Sequence, residues 1–308
     1  MTKPDYKVES ESPIQLPDTL ALSQRWQDLN RMWWESSPMR YDWRRKITAE
    51  PGSLEYFREI DDRFFETVRH FMPWQKRPFD SLIDFDSLID RRVLEIGVGH
   101  GSHAQLIAPH SKSFTGIDLT EIACQMTRRR FELLGLKTDI FQMDAENMSF
   151  RDESFDYIWS WGVVHHSANP MNALREMYRV LSPGGEAVLM VYHRSFWKYY
   201  VETGFVRGIL GGDLFRYRSL NKVLQSASDG AIARYYKPKE WLEMCQGLFE
   251  VNNFLVFGQK TDLLLLPYSF LKNMVMRILP DSITRFFTNR LRFGSLLVVK
   301  MRKGGANN

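Results

Sequence analysis

Three glycines at alternating positions, Gly97, Gly99 and Gly101, follow a short apolar segment that is predicted to be a buried strand. Glycine lets the backbone bend sharply and approach a ligand where any Cβ would collide. Asp118 closes a second predicted strand and Asp144 closes a third. A carboxylate at the end of the second strand can accept hydrogen bonds from both hydroxyls of a ribose. This spacing predicts a site for a nucleotide-like cofactor.

Two residues distinguish this turn from the dinucleotide fingerprint G-x-G-x-x-G, whose third glycine permits close packing beside a pyrophosphate. Ser102 stands at the position of that third glycine. Glu95 is expected at the mouth of the turn, where its charge would repel a pyrophosphate and attract an ammonium group. S-adenosylmethionine is therefore favoured as the cofactor, and an NAD-dependent oxidoreductase is the enzymatic alternative.

The elements that must position these residues alternate between strands and helices from residue 89 to residue 192. Such alternation at short intervals is typical of βαβ units and a parallel sheet. Thr120 is expected to cap a helix that Gly135 ends, and a further helix is predicted to begin at Pro170. The predicted strands are residues 93–96, 113–117, 140–143, 155–160 and 187–192.

Five segments in this region resemble, in order and with suitable gaps, the successive motifs of class I S-adenosylmethionine-dependent methyltransferases. They are residues 94–101 (LEIGVGHG), 116–119 (GIDL), 143–146 (MDAE), 155–157 (FDY) and 180–185 (VLSPGG). The segment 161–166 (WGVVHH) is similar to the branch that includes the ubiquinone and menaquinone C-methyltransferases. The resemblance covers roughly residues 90–192.

The resemblance implies an α/β fold, with a Rossmann-like, mostly parallel sheet of seven strands, helices on both faces and a reversed last strand. The final strands correspond to segments near 250–257 and 294–300. The expected organisation has a mainly helical N-terminal extension or cap at 1–88 and a cofactor-binding core at 89–192. A lid insertion follows at 193–237, and the C-terminal part of the core, 238–308, carries an apolar helical insertion at about 262–292.

The same resemblance implies roles for individual residues. Glu95 and the three glycines line the methionine part of the cofactor. The remaining members of the cofactor-binding set are Asp118 for the ribose, Asp144 with Ala145 for the adenine, Leu119 next to Asp118, and Ser160 at the end of the fourth strand. A tight turn or a helix cap is the structural alternative for the glycines and for the two aspartates.

His165 and His166 are the candidate catalytic residues. Methyl transfer from a sulfonium needs in-line placement, a dry pocket and, for a hydroxyl nucleophile, a base. Either imidazole, just beyond the fourth strand, could accept that proton near neutral pH. Packing or capping is the alternative for both. No metal site is expected, because the fourth strand ends without the acid that holds magnesium in catechol-type enzymes and the chain has only two cysteines.

The acceptor pocket is expected to be built by parts outside the core, namely the N-terminal helices and the 193–237 insertion. Tyr41 and Trp43 lie in a predicted loop, and Tyr192 and Trp197 stand at the start of the 193–237 insertion. Aromatic side chains at these places could form a lid that excludes water. The alternative is a subunit interface. The apolar run 263–266 and the helix near 270–279 are further candidates for such an interface or for loose membrane contact.

The composition fits a folded protein with one principal domain and additions. Of the 308 residues, 44% are hydrophobic and 25% charged, and 41 Lys and Arg against 37 Asp and Glu give a net charge of +4. This small excess disfavours nucleic-acid binding, and the basic cluster 128–130 is interpreted as a solvated helix face. A cytoplasmic monomer or homodimer without stable membrane insertion is expected.

These observations predict transfer of a methyl group from S-adenosylmethionine to a small organic acceptor. The acceptor and the nature of the methylated atom, oxygen, nitrogen or carbon, stay open at this point. The alternatives are a protein or RNA methyltransferase, and a catalytically silent cofactor-binding protein of the same fold.

Overall fold

The computed structural model describes residues 7–8, 10–42, 45–137, 139–265 and 269–304. One eight-stranded sheet forms the centre of this part of the chain. Its strands are β1 (Arg92–Ile96), β2 (Ser113–Asp118), β3 (Asp139–Gln142), β4 (Phe155–Trp161), β5 (Leu181–His193), β6 (Tyr235–Tyr236), β7 (Phe249–Phe257) and β8 (Leu296–Lys303).

The strand order along the sheet is β3-β2-β1-β4-β5-β8-β7. The strands from β3 to β5 are parallel, whereas β8 runs antiparallel to both β5 and β7. The two-residue strand β6 pairs with β5 away from this path. The predicted Rossmann-like α/β fold with a reversed strand is confirmed. The sequence did not predict β6, because two residues are too few to show an alternating pattern.

The helices lie on both faces of the sheet. They are α1 (Leu20–Ser36), α2 (Leu54–Phe71), α3 (Ala104–Ile107), α4 (Glu121–Leu134), α5 (Pro170–Val180), α6 (Asp213–Tyr217), α7 (Leu220–Ala227), α8 (Pro238–Cys245), α9 (Lys260–Leu263), α10 (Phe270–Ile278) and α11 (Asp281–Arg285). Two further segments, Trp197–Leu210 and Phe286–Arg290, are π-helical, and three short 3₁₀ turns are present.

Alternation along the strands divides the core into two layers. Leu94 and Ile96 of β1 pack in the layer that contains α5, whereas Val93 packs in the opposite layer with α2 and α4. Successive side chains of a strand point to opposite faces, so a sheet that is covered on both sides needs apolar residues at both positions. The carboxyl ends of β1, β2 and β4 then meet at one edge of the sheet, where α/β folds bind their ligands.

The N-terminal extension is helical only in part. Its first described residues, 7–8 and 10–19, form no helix, and several of them bond to the segment 228–236. The amide of Val8 donates to the carbonyl of Ala231 at 2.9 Å, and the amide of Tyr235 donates to that of Pro13 at 3.2 Å. The extension is therefore helical in α1 and α2 and non-helical in the described segment before α1.

Three local expectations have different outcomes. Gly135 has φ +64° and ends α4, as predicted. Thr120 makes no side-chain cap, because its Oγ1 donates to Asp118 instead. The fifth strand begins at Leu181, earlier than predicted, and includes the turn-forming residues 183–185. No helix within the described residues is long and apolar enough to cross a membrane.

Candidate active site

The glycine turn joins β1 to the short helix α3. Gly97, Gly99 and Gly101 have φ values of +80°, +53° and +77°, in the left-handed region that favours glycine. A Cβ added to Gly97 would lie 2.2 Å from Cγ2 of Val163. One added to Gly99, which lines the cavity described below, would meet no atom within 4 Å. The turn therefore presents bare backbone to open space, as a closely bound ligand requires.

Asp118 ends β2 and faces the glycine turn. Its Oδ2 accepts a hydrogen bond from the amide of Gly99 at 3.1 Å, and its Oδ1 accepts from the amide and Oγ1 of Thr120 at 3.0 and 2.8 Å. Burial raises the pKa of this carboxyl, while these hydrogen bonds oppose the rise. Each carboxylate oxygen has two lone pairs, so Asp118 can still accept hydrogen bonds from a ligand.

Asp144 follows β3 and is linked to the N-terminal helix α1. Its Oδ1 accepts from Nε2 of Gln27 at 2.9 Å and from the amide of Glu146 at 2.8 Å. The other end of the Gln27 amide, Oε1, accepts from the amide of Ala168 at 3.1 Å. Gln27 thus connects α1 to the segments that contain Asp144 and Ala168. This contact was not predicted, because residues 27 and 144 are far apart in the chain.

Glu95 is buried behind the turn and is not among the residues that line the cavity. Burial raises the pKa of its carboxyl well above the ordinary value; the charge of Asp118 acts in the same direction and that of Arg130 opposes it. Oε2 of Glu95 has no hydrogen-bond partner among the described residues. The sequence placed Glu95 at the mouth of the turn, but its position on β1 points its side chain into the protein.

Arg130 corrects the interpretation of the basic cluster as a solvated face. Its side chain is fully buried, and Nη1 lies 3.0 Å from Oδ1 of Asp61 on α2. Asp61 also accepts from Oγ of Ser102 at 2.7 Å. Arg128 and Arg129 are paired at the surface with Glu121 and Glu132. The Arg130–Asp61 ion pair therefore connects α4 to α2 next to the glycine turn.

A single cavity of about 280 Å³ joins the ends of β1, β2 and β4 to the N-terminal helices. Its cofactor end contains Gly97, Gly99, Asp118, Leu119, Asp144 and Ala145. Its other end is mainly aromatic and apolar, and is lined by Trp34, Tyr41, Phe64, Thr67, Val68, Phe71, Trp161, Met190, Tyr192 and Leu296. We call the second group the aromatic end. The N-terminal helices were expected to contribute to the acceptor pocket, but the sequence did not identify which side chains of α1 and α2 line it.

The structure separates the two candidate histidines. His166 lines the cavity, and its Nδ1 lies 2.6 Å from the carbonyl oxygen of Ile232, so Nδ1 carries the proton and Nε2 the lone pair. Burial lowers the pKa of His166 to about 4. His165 is fully buried outside the cavity lining, with its ring 3.9 Å from that of Tyr192, and neither ring nitrogen has a partner among the described residues. Only His166 is placed to meet an acceptor.

The remaining candidates divide in the same way. Tyr41, with φ +56°, stacks on Phe64 at 4.7 Å and lines the cavity, as does Tyr192. Trp197 lies outside the lining, because its Nε1 donates to the carbonyl of Asp262 at 2.7 Å. Trp43 lies outside the described residues.

Ser160 also differs from its expected place. It lies within β4, buried and without a hydrogen-bond partner for Oγ among the described residues, and it does not line the cavity. Strand alternation directs it away from the face on which its neighbour Trp161 meets the cavity. In the described part of the chain, no group of three or more His, Cys, Asp or Glu could hold a metal ion.

Comparison with known proteins identifies one domain within the chain. Residues 94–189 match the family model described as a methyltransferase domain. This part of the chain is a methyltransferase domain. The domain uses S-adenosylmethionine, and the glycine turn, Asp118 and Asp144 lie inside the matched residues.

Three curated relatives resemble the chain to different extents. Phthiotriol/phenolphthiotriol dimycocerosates methyltransferase 1 of Mycobacterium ulcerans is 40% identical over 100 residues, 32% of this chain and 36% of that protein. The tRNA U34 carboxymethyltransferase of Klebsiella pneumoniae is 28% identical over 291 residues, 80% of this chain and 79% of that protein. The ubiquinone biosynthesis O-methyltransferase of Aromatoleum aromaticum is 27% identical over 157 residues, 50% of this chain and 67% of that protein.

The chain thus spans about a third of the length of the phthiotriol relative. A solved methyltransferase chain, from the complex with the Haloferax volcanii Trm112 methyltransferase activator, has a TM-score of 0.54 at 16% identity. It covers 82% of this chain and 94% of that one. This likeness agrees with the fold of the methyltransferase domain.

Proposed function

We propose that this chain transfers the methyl group of S-adenosylmethionine to a small, uncharged organic acceptor bound at the aromatic end of the cavity. The observation that carries the proposal is the continuity of that cavity. It extends from the glycine turn and Asp118 to the aromatic rings of α1, α2 and β4. Donor and acceptor can therefore be placed together in one largely apolar space, and placement with exclusion of water is the main requirement of this reaction.

The residues present fit the cofactor. The bare backbone at Gly99 leaves room for the methionine part, and the oriented carboxylate of Asp118 can accept hydrogen bonds from ribose hydroxyls. Asp144 and Ala145 line the same cavity and are the proposed contacts of the adenine. When bound, S-adenosylmethionine supplies an electrophilic methyl group on a sulfonium. The chain itself supplies placement and exclusion of water.

His166 is the proposed base for a hydroxyl acceptor. The hydrogen bond from Nδ1 to the carbonyl of Ile232 fixes the ring and leaves the lone pair on Nε2. Burial keeps the imidazole neutral, so this lone pair is available throughout the neutral pH range. His165 is proposed to support the ring of Tyr192 and to have no direct contact with the acceptor.

The charges of the cavity favour an uncharged acceptor. The described residues that line it include three acidic side chains, Asp118, Asp144 and Asp229, and no Lys or Arg. A phosphate or carboxylate close to the reacting atom would meet no cation there. The name of the tRNA relative describes carboxymethyl transfer to tRNA. The charges of this cavity disfavour an RNA acceptor and a carboxylate on the transferred group.

Two measurements test the proposal. Calorimetry with S-adenosylhomocysteine and with NADH should give binding at low micromolar strength for the first and none for the second. Incubation with methyl-labelled S-adenosylmethionine and fractionated cell extract should then place label in the organic-soluble fraction. Label recovered in RNA or protein, or the absence of S-adenosylhomocysteine binding, would contradict the proposal.

A further inference from the structure

Exposed apolar side chains are concentrated in two insertions, which we define as residues 193–228 and 260–295. Among the described residues, 13 of the 22 large hydrophobic side chains that are exposed belong to them. They are Phe196, Tyr200, Phe205, Ile209, Leu210, Phe215, Phe270, Met274, Ile278, Ile283, Phe286, Phe287 and Leu291. We call this set the docking face. Exposed apolar surface of this extent is costly in water and marks an interaction site.

The same two insertions carry the positive charge of the protein. Together they contain twelve Lys and Arg and four Asp and Glu, an excess of eight positive charges. The rest of the chain has 29 Lys and Arg against 33 Asp and Glu, an excess of four negative charges. The small overall net charge therefore hides a strong asymmetry. Arg218, Arg277, Arg290 and Arg292 are exposed, and no acidic partner is found for them among the described residues.

Both insertions leave and rejoin the core at residues that line the cavity. The first lies between Tyr192 and Asp229, and the second between Gln259 and Leu296; all four line the cavity. The docking face is therefore connected by short chain segments to the aromatic end. A molecule held against the insertions would be close to the acceptor part of the site.

Direct contacts hold the two insertions together. Trp197 of the first stacks on Phe293 of the second at 5.5 Å with an interplanar angle of 3°. Nε1 of Trp197 donates to the carbonyl of Asp262 at 2.7 Å, and Oγ of Ser195 donates to that of Phe293 at 2.9 Å. The docking face can thus act as one unit.

Helix α10 has the pattern of an interfacial helix. Phe270, Met274 and Ile278 recur every four residues and share one side of the helix, where they are 86%, 42% and 71% exposed. Arg277 lies next to this stripe and is also exposed. An apolar stripe flanked by cations is the combination that binds the surface of an anionic bilayer.

We propose that the docking face binds an anionic membrane surface and that the acceptor is an apolar molecule resident in that membrane. The first part stands on the exposed apolar residues and the charge asymmetry. The second part rests on the proposed function, because it assigns the source of the acceptor. A bilayer fits this face better than a protein groove does, since apolar residues and cations are spread over several short helices.

The test is flotation of the whole chain with vesicles of phosphatidylcholine alone or with 40% phosphatidylglycerol. We expect binding to the anionic vesicles, weakened by salt, and little binding to the neutral ones. The variants Phe270→Ser with Ile278→Ser, and Arg277→Glu with Arg290→Glu, should each lower the partition coefficient about tenfold or more. The matched controls are Leu20→Ser with Ile89→Ser, and Lys112→Glu with Lys239→Glu, which change the same number of exposed residues elsewhere.

Calorimetric binding of S-adenosylhomocysteine by every variant checks that the fold and the cofactor site are intact, and it tests the proposed function separately. Three outcomes would overturn the membrane proposal. They are failure to bind anionic vesicles, equal loss in docking-face variants and controls, and concentration-dependent dimerisation that the docking-face variants abolish without any vesicle binding. The last would assign the face to a second copy of this chain.

Discussion

Replacing Gly97 by Ala should mainly lower the stability of the protein, whereas replacing Gly99 by Ala should mainly weaken cofactor binding, although both residues belong to one turn. Both have positive φ, so Ala costs about 1–2 kcal/mol in backbone strain at either position. At Gly97 the new Cβ would also lie 2.2 Å from Cγ2 of Val163, whereas at Gly99 nothing lies within 4 Å. Overpacking of this kind costs about 1–3 kcal/mol more.

Gly97→Ala should therefore lower the free energy of unfolding by about 2–5 kcal/mol, and Gly99→Ala by about 1–2 kcal/mol. Urea denaturation followed by circular dichroism measures both. The double variant Gly97→Ala with Val163→Ala should recover the overpacking part, because the colliding methyl groups are gone. Affinity should follow the reverse order. Gly99→Ala places a methyl group in the cavity and should weaken S-adenosylhomocysteine binding tenfold or more, about 1.4 kcal/mol.

Equal destabilisation by the two single substitutions would refute the argument from the Val163 contact. Lack of rescue in the double variant would do the same. Unchanged affinity in Gly99→Ala would mean that the cofactor does not approach this part of the turn.

Four further predictions concern other residues of the site. Asp118→Ala should weaken S-adenosylhomocysteine binding by about 1–3 kcal/mol in calorimetry, the cost of losing a charged acceptor, and an unchanged value would remove Asp118 from the site. His166→Ala should lower turnover about a hundredfold at nearly constant cofactor affinity, whereas a similar effect of His165→Phe would contradict the roles assigned to the pair. Asp61→Ala should cost about 3–5 kcal/mol in urea denaturation because Arg130 is left buried without its partner, while Arg129→Ala, at the surface, should change stability by less than about 0.5 kcal/mol. Burial lowers the pKa of His103 to about 3 and that of His166 to about 4, so the unfolded chain binds more protons than the folded chain below pH 6.5. The free energy of unfolding should therefore fall as the pH drops from 6.5 towards 4, by up to about 1.4 kcal/mol per pH unit for each of these histidines. His103→Phe should reduce this slope.

The sequence was sufficient for the parallel core because its signals are local. Apolar runs, glycines at alternating positions and acids at strand ends appear within a few residues of one another, and β1, β2 and β4 lie where the pattern predicts them. The antiparallel orientation of β8 was predicted from the family resemblance, because nothing in the sequence of this segment indicates the direction of the strand.

Contacts between distant segments were beyond the sequence. Arg128, Arg129 and Arg130 look alike in the chain, and only the approach of α2 buries the third against Asp61. His165 and His166 are adjacent in the chain, and they differ because Nδ1 of His166 donates a hydrogen bond to the carbonyl of Ile232, which lies far away in the sequence. Gln27 and Trp197 likewise depend on partners more than sixty residues away.

The position of β8 has a consequence for synthesis of the chain. This strand is the last of the sheet in chain order, yet it lies between β5 and β7, and Leu297, Val298 and Val299 are completely buried there. During synthesis from the N-terminus, β5 and β7 leave the ribosome before β8 does, so the position between them in the sheet stays empty until β8 is available. Removing residues 296–303 would therefore split the interior of the sheet instead of trimming its rim, and nascent chains should become resistant to protease only after this segment has left the exit tunnel.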